Sequence, residues 1–279
     1  MLDELFFKKR GDWHRGSYVL YSFVLTLFGF LTAVLVFPQA ISTTFPLLVT
    51  LLFIPFFRKL ITIEELEVVQ KRRLSRVLHY HRDVVEVALF MFAGCFLAVL
   101  SVQLVLISHP DFFQQAFTYQ LSTLDTVQEY SYGMTDNLVD GQPVDVFAYR
   151  DVAMLLSGVL VLLTVGFVFG FFYGGGGILL IVLAAAHLAT LVLYLIASRG
   201  QFFGYFLVTA LLDVFLIVPL IFSAIGGCIL SKAVIREKLK SSNFHIVLLD
   251  SLLLYGFSII LSVALVFVWN IIVRVIHGA

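Results

Sequence analysis

Seven long apolar segments, separated by short polar connections, dominate the pattern of this chain. An apolar run of about 20 residues can cross the roughly 30 Å hydrocarbon core of a bilayer as a helix. Because backbone polar groups find no water there, we expect helices rather than loops or open sheets. The pattern predicts spans at 17–37, 39–57, 84–107, 151–173, 178–197, 203–231 and 246–273. The predicted fold class is therefore all-α, a polytopic transmembrane helical bundle of about seven spans that forms a single integral membrane domain over 1–279.

Composition agrees with this pattern, since 61% of the residues are hydrophobic and only 13% are charged. Soluble domains carry about 25% charged residues, so a soluble globular protein is excluded. The formal net charge is 0, which gives no reason to expect a nucleic-acid partner. The lipid bilayer is the expected surrounding, and we expect a multi-pass protein of the cell (plasma) membrane.

The placement of positive charge predicts the orientation. With a cytoplasmic N-terminus, the inner connections hold 15 of the 18 Lys and Arg residues, and the outer ones hold only Arg150, Arg199 and Arg274. Lys and Arg concentrate in cytoplasmic loops, so we expect an N-in, C-out chain with seven crossings. The proline-containing segment 39–57 could be re-entrant, but the basic block at 58–82 would then lie outside.

Two polar segments outside the predicted spans are themselves predicted to contain amphipathic helices. Thr62 and Glu65 form a capping-box pattern at the start of a cytoplasmic amphipathic helix over 58–82, which either lies on the membrane or continues into the third span. The acidic outer segment 108–150 begins an amphipathic helix at Pro110. Its apolar stripe either contacts a partner or packs back on its own bundle.

A run of four glycines, Gly174, Gly175, Gly176 and Gly177, separates the fourth and fifth predicted spans. Glycine permits tight turns and close helix contacts, so we predict a helical hairpin. A phosphate cradle is the alternative, but no Lys-Ser or Lys-Thr follows the glycines and no soluble strand precedes them.

Ionisable residues inside the spans are the best candidates for function, because charge at the centre of a membrane is unfavourable. Asp213 lies ten residues into its span and His187 nine into the preceding one, about 15 Å and about 14 Å deep. We predict that both face the bundle interior and hydrogen-bond each other, as a structural contact or as a proton-coupled pair. Asp250 lies only four residues into the last span, about 6 Å deep, and is expected to reach the cytoplasmic interface.

Other reactive side chains suggest no chemistry. His79, His81 and Asp83 invite a metal interpretation, but residues two apart on a helix point about 200° apart, so we expect interfacial polar groups there. Cys95 and Cys228 both lie within spans and are expected to be small core residues. No nucleophile and base share a motif, so we expect no enzyme, no cofactor and no bound metal.

Three stretches in this order resemble the archaeal branch of the stage II sporulation protein M family. They are FIPFFRKLITIEELE in the first third, HYHRDVVEVALFMFAGC at the third span, and VFGFFYGGGG with the later segment from Ser231 to Arg236. The resemblance covers about residues 17–273. This chain has Tyr149-Arg150-Asp151 and Ala186-His187-Leu188 where the family tends to have Asn-containing segments.

The resemblance implies a non-enzymatic membrane scaffold or assembly component, because bacterial members look like scaffolds that hold cell-wall hydrolases. Membrane-protein partners or self-association would follow, with docking surfaces from Asp111 to Asp145 outside and from Glu64 to Arg82 inside. The alternative function is a transporter or permease subunit with a polar path near His187 and Asp213. A membrane enzyme such as an intramembrane hydrolase is a third, weaker interpretation.

Overall fold

The described part of the chain consists of helices joined by short turns, with no strand in it. The structure, a computed structural model, describes residues 15–71, 81–135, 149–173, 176–197, 203–236 and 241–277. Its helices are α1 (Arg15–Val36), α2 (Ile41–Lys71), α3 (Arg82–Leu106), α4 (Pro110–Thr135), α5 (Tyr149–Tyr173), α6 (Gly176–Ala197), α7 (Phe203–Arg236) and α8 (Ser242–His277).

Six of these helices are long and apolar enough to cross a membrane, namely α1, α2, α3, α6, α7 and α8. The clearly apolar part of α5, Leu155–Phe171, is shorter than the other six. The all-α, multi-pass architecture predicted from the sequence is therefore confirmed. Pro46 and Pro55 do not interrupt α2, which continues as one helix through both.

The bundle is built by pairwise packing along the chain. Helix α1 packs against α2 and α3, α3 packs against α6, and α7 contacts α5, α6 and α8. Large side chains such as Phe45, Phe53 and Met91 are fully buried within the main core. A smaller cluster around Leu163 and Leu220 joins α5 to α7 and α8.

Glycines let two of these helix pairs approach backbone to backbone. A side chain at Gly94 of α3 would collide with Ser22 and with the carbonyl of Val19 on α1. A side chain at Gly227 of α7 would collide with the carbonyl of Phe167 on α5. Close packing of small residues is the main source of helix association in membranes, where lipid is as apolar as the helices.

The amphipathic segment predicted over 58–82 is divided in the structure. Its first part continues α2 without a break as far as Lys71, and 72–80 lie outside the described residues. His81 forms a bend immediately before α3, which begins at Arg82.

The outer helix α4 begins at Pro110, as predicted, and its first half packs back on the bundle. Phe117 is fully buried, stacks on Phe30 of α1, and marks a kink with φ −125° and ψ 21°. The Ser42 hydroxyl of α2 donates to Gln120 Oε1 and accepts from the Tyr119 amide. The apolar stripe up to Leu121 is thus used within the chain, and the polar stretch 136–148 lies outside the described residues.

Candidate functional site

The described structure contains two histidine–aspartate pairs, and the first joins α3 to α8. His81 Nε2 lies 2.8 Å from Asp250 Oδ2, at hydrogen-bonding distance. The two side chains are 0% and 2% exposed. His81 precedes α3, and its carbonyl accepts from the Val85 amide, so the bend and the first turn of α3 hold the ring in place.

The structure corrects two predictions here. Asp250 does not reach an aqueous interface, because its side chain is only 2% exposed and its carboxyl faces His81. His81 is not an interfacial polar group but a fully buried one. A buried pair with this geometry holds distant parts of the chain together, and loss of either partner leaves an uncompensated polar group.

The second pair joins α6 to α7. His187 Nε2 lies 3.7 Å from Asp213 Oδ2, so the predicted neighbours do meet, at an ion-pair distance that is too long for a hydrogen bond. Asp213 Oδ2 is itself a buried atom and has no hydrogen-bond partner among the described residues, although the side chain as a whole is partly exposed. The pair also differs from the prediction in its exposure, since the two side chains are 28% and 29% exposed rather than enclosed by the bundle.

The second pair lies at the edge of a membrane-facing surface of α7. Val214, next to Asp213, is exposed, whereas Leu211 and Phe215 are exposed on the opposite face, about 200° around the helix from Asp213. On the face of Asp213 itself, Ala210 and Ile217 are buried. His187 and Asp213 each lie ten residues from the ends of α6 and α7 at Ala197 and Phe203, which is about 15 Å of helix. The two residues are therefore level with each other inside two apolar helices, where exposure of ionisable groups to lipid is unfavourable.

A third polar contact, which the sequence reasoning missed, leads toward this pair. Gln103 of α3 is fully buried and its Nε2 donates to Thr190 Oγ1 over 2.7 Å. Thr190 lies three residues beyond His187 on α6 and donates to the Ala186 carbonyl. The sequence does contain a hint of this contact, because Gln103 is a polar amide inside an apolar run. Only the packing of α3 on α6 shows that its partner is Thr190.

Most other buried hydroxyls in the described helices are satisfied locally. Thr50 donates to the Pro46 carbonyl, Ser251 to Val247 and Ser258 to Tyr255, each within its own helix. Such bonds remove the donor from the bundle interior and leave apolar surface there. These hydroxyls are therefore satisfied within their own helices.

Metal and phosphate interpretations gain nothing from the geometry. Within the described ranges, no three His, Cys, Asp or Glu side chains come together, and His79 lies outside those ranges. Cys95 and Cys228 are both buried and unpaired with each other, and Cys95 Sγ accepts a hydrogen bond from Thr26.

Two glycines of the four-glycine run, Gly176 and Gly177, are described, and both lie in close contact with neighbouring helices. A side chain at Gly176 would meet Phe169, and one at Gly177 would meet Ala224. Gly174 and Gly175 lie outside the described residues, between the end of α5 at Tyr173 and the start of α6 at Gly176.

Comparison with protein-family models, with curated proteins and with solved structures found no match to this chain. The resemblance to the sporulation protein M family therefore rests on the sequence segments alone, and the function has to be argued from the helices and the two pairs.

Proposed function

We propose that this chain is a non-enzymatic assembly component of the plasma membrane, a scaffold of the type that the resemblance to stage II sporulation protein M implies. Its seven spans place the N-terminus inside and the C-terminus outside. The proposal requires α5 to cross as well, because Lys232 and the basic residues that follow it would otherwise lie outside.

The observation that carries the proposal is the exposure of the His187–Asp213 pair. Both side chains are more than a quarter exposed, at mid-membrane depth in this seven-span arrangement, and Val214 next to Asp213 is exposed as well. Ionisable groups at this depth are normally turned toward the interior of a bundle or paired with another polar group. A membrane-protein partner that covers this surface removes the pair from lipid and supplies the missing hydrogen bonds.

The interior of the bundle favours assembly over transport. Leu191 of α6 and Ile221 and Ile229 of α7 are fully buried. The nearby hydroxyls are bonded within the protein, Thr190 to the Ala186 carbonyl and Ser223 to the Leu163 carbonyl of α5. A transporter needs polar side chains that face a shared, water-accessible path. The described helices instead bury apolar side chains at these contacts and leave their ionisable pair at the outer surface.

A photo-cross-linking amino acid in place of Val214, in native membranes, tests the proposal. Val214 is 47% exposed and adjoins Asp213. We expect protein adducts at this position. The matched control is Leu35 of α1, which is 80% exposed on another surface and should give lipid adducts. Lipid adducts alone at both positions would overturn the assembly function.

A second candidate, a transporter or permease subunit, is favoured by one observation. Gln103 of α3 donates to Thr190, which lies three residues from His187 on α6, so two buried polar side chains lie near the ionisable pair. An Asp213→Cys variant with Cys95→Ala and Cys228→Ala tests this alternative with a membrane-impermeant thiol reagent. Labelling of folded protein would indicate water at mid-membrane depth and favour the transporter, whereas protection favours a dry, assembled bundle.

A further inference from the structure

Helix α3 has two opposite faces, and one of them is held tightly against α1. A side chain at Gly94 would collide with the Val19 carbonyl and the Ser22 hydroxyl of α1, so the two helices lie in close contact there. Thr26 of α1 also donates to Cys95 Sγ, on the residue next to Gly94. Contacts made by backbone atoms cannot be released by a change of rotamer, so α1 and α3 form a rigid pair.

The opposite face of α3 carries polar contacts to helices in the second half of the chain. Gln103 lies nine positions after Gly94, about 180° around the helix, and its Nε2 donates to Thr190 Oγ1 of α6. His81, the N-cap residue of α3, has φ −87° and ψ 0° and lies within about 40° of Gln103 around the helix axis. Its Nε2 lies at hydrogen-bonding distance from Asp250 of α8. One face of α3 therefore carries both contacts.

These two contacts lie at opposite ends of α3. His81 and Gln103 are 22 positions apart, which is about 33 Å of helical rise and close to the thickness of a hydrocarbon core. Between them, the same face carries buried apolar side chains, including Val85 and Val99, each four positions from the polar residue at its end. This face, which we call the seam, is thus a buried apolar strip with one polar contact at each end.

Helices α5–α8 are joined to one another by glycine contacts, as α1 is joined to α3. A side chain at Gly227 of α7 would collide with a backbone carbonyl of α5, and one at Gly177 of α6 would collide with Ala224 of α7. A side chain at Gly226 of α7 would lie 3.0 Å from a backbone oxygen of α8. Within the described part of the chain, no glycine contact crosses from α1–α3 to α5–α8. The two sets of helices therefore meet without the backbone contacts that hold each set together.

We propose that α1–α3 and α5–α8 are two units joined by separable latches, the His81–Asp250 contact at one end of the seam and the Gln103–Thr190 bond at the other. Release of one latch opens the seam from that end, while the second latch keeps the opposite end closed. The chain can thereby change shape toward one membrane surface at a time. This device goes beyond the proposed assembly function and does not depend on it.

Two buried cysteine probes on α3 test the proposal in lipid nanodiscs, where an impermeant maleimide reaches both membrane surfaces. Val85→Cys reports on one end of the seam and Val99→Cys on the other, each in a Cys95→Ala/Cys228→Ala background. The two valines are 7% and 3% exposed, so both probes should be labelled slowly when the latches are intact.

Release of one latch should expose only the probe at its own end. Asp250→Leu should raise the labelling rate at position 85 by about tenfold or more and leave position 99 unchanged, because a buried polar contact is broken. Gln103→Leu should raise labelling at position 99 by about threefold and leave position 85 unchanged, since a bond between neutral groups is weaker. Ser101→Leu is the matched control, because Ser101 is exposed and bonds to a carbonyl of α3 itself. It should raise labelling at neither position.

His81→Leu and Thr190→Val remove the same two contacts through their other partners and should reproduce the two labelling patterns. Asp250→Asn, which preserves the size of the side chain, replaces Asp250→Leu if circular dichroism shows that the latter does not fold. Equal increases at both probes would mean that the whole chain loosens, which would overturn separable latches. No increase at either probe would show that these contacts do not hold the seam, and the proposal would fail.

Discussion

The two histidine–aspartate pairs of this chain contain the same side chains in opposite surroundings. His81 and Asp250 lie 2.8 Å apart and are almost completely enclosed by protein. His187 and Asp213 lie 3.7 Å apart and remain more than a quarter exposed. The first pair is hydrogen-bonded and enclosed, whereas the second is too far apart for a hydrogen bond and partly exposed.

The difference shows that enclosure, and not residue type, separates a structural contact from a candidate binding surface. Removal of one partner from an enclosed pair leaves the other without water or a replacement bond. At the partly exposed pair the two side chains are not hydrogen-bonded to each other, so removal of one partner breaks no hydrogen bond between them. Measurements on the two pairs should therefore differ most in stability and in association.

The largest effect is expected from Asp250→Ala. The unfolding free energy in detergent should fall by about 3–5 kcal/mol, because His81 is left buried without its carboxylate. An SDS titration followed by circular dichroism measures the change. The double variant His81→Leu/Asp250→Leu is the control and should recover much of the loss, since an apolar pair needs no hydrogen bond. A single variant as stable as the parent chain would contradict the structural role of this pair.

The next effect concerns the closely packed helices of the enclosed region. Gly227→Ala should lower the unfolding free energy by about 1–3 kcal/mol, because the added methyl group meets the Phe167 carbonyl and forces α5 and α7 apart. Gly256→Ala is the matched control, since nothing lies within 4 Å of a side chain there. The same titration compares the two variants. Equal stability would show that α5 and α7 are less tightly packed than described.

A smaller effect is expected from Asp213→Asn. In detergent, the unfolding free energy should change by less than about 1 kcal/mol, because the His187–Asp213 pair is partly exposed and not hydrogen-bonded. The parallel measurement on Asp250→Asn provides the direct comparison. If both variants lost equal stability, the two pairs would be equivalent and the distinction between them would fail.

The smallest effect is expected from Gln103→Leu. Hydrogen bonds between membrane helices contribute about 0.6 kcal/mol on average, so loss of the Gln103–Thr190 bond should change stability by about that amount. If Gln103 instead belongs to a transport path, the same variant should alter thiol labelling at position 213. Unchanged labelling together with a small stability change would confine Gln103 to packing.

Much of the fold was predictable from the apolar pattern alone. The presence of long membrane-crossing helices follows from run length and from the need to satisfy backbone hydrogen bonds in lipid, both of which are local properties. The start of α4 at Pro110 was also predictable from a local property, because proline restricts its own backbone and is favoured at the first position of a helix. The meeting of His187 with Asp213 could be predicted from depth, since both lie near mid-membrane on consecutive helices.

The apolar pattern and the depth of residues could not predict that the His81–Asp250 pair is buried or that the His187–Asp213 pair is partly exposed. The residues of the first pair are 169 positions apart, and only the packing of eight helices brings them together. Depth along a helix is a property of the sequence, because the bilayer sets it. The direction that a side chain faces depends on which helices surround it, and in lipid that is decided by close contacts such as Gly227 against Phe167.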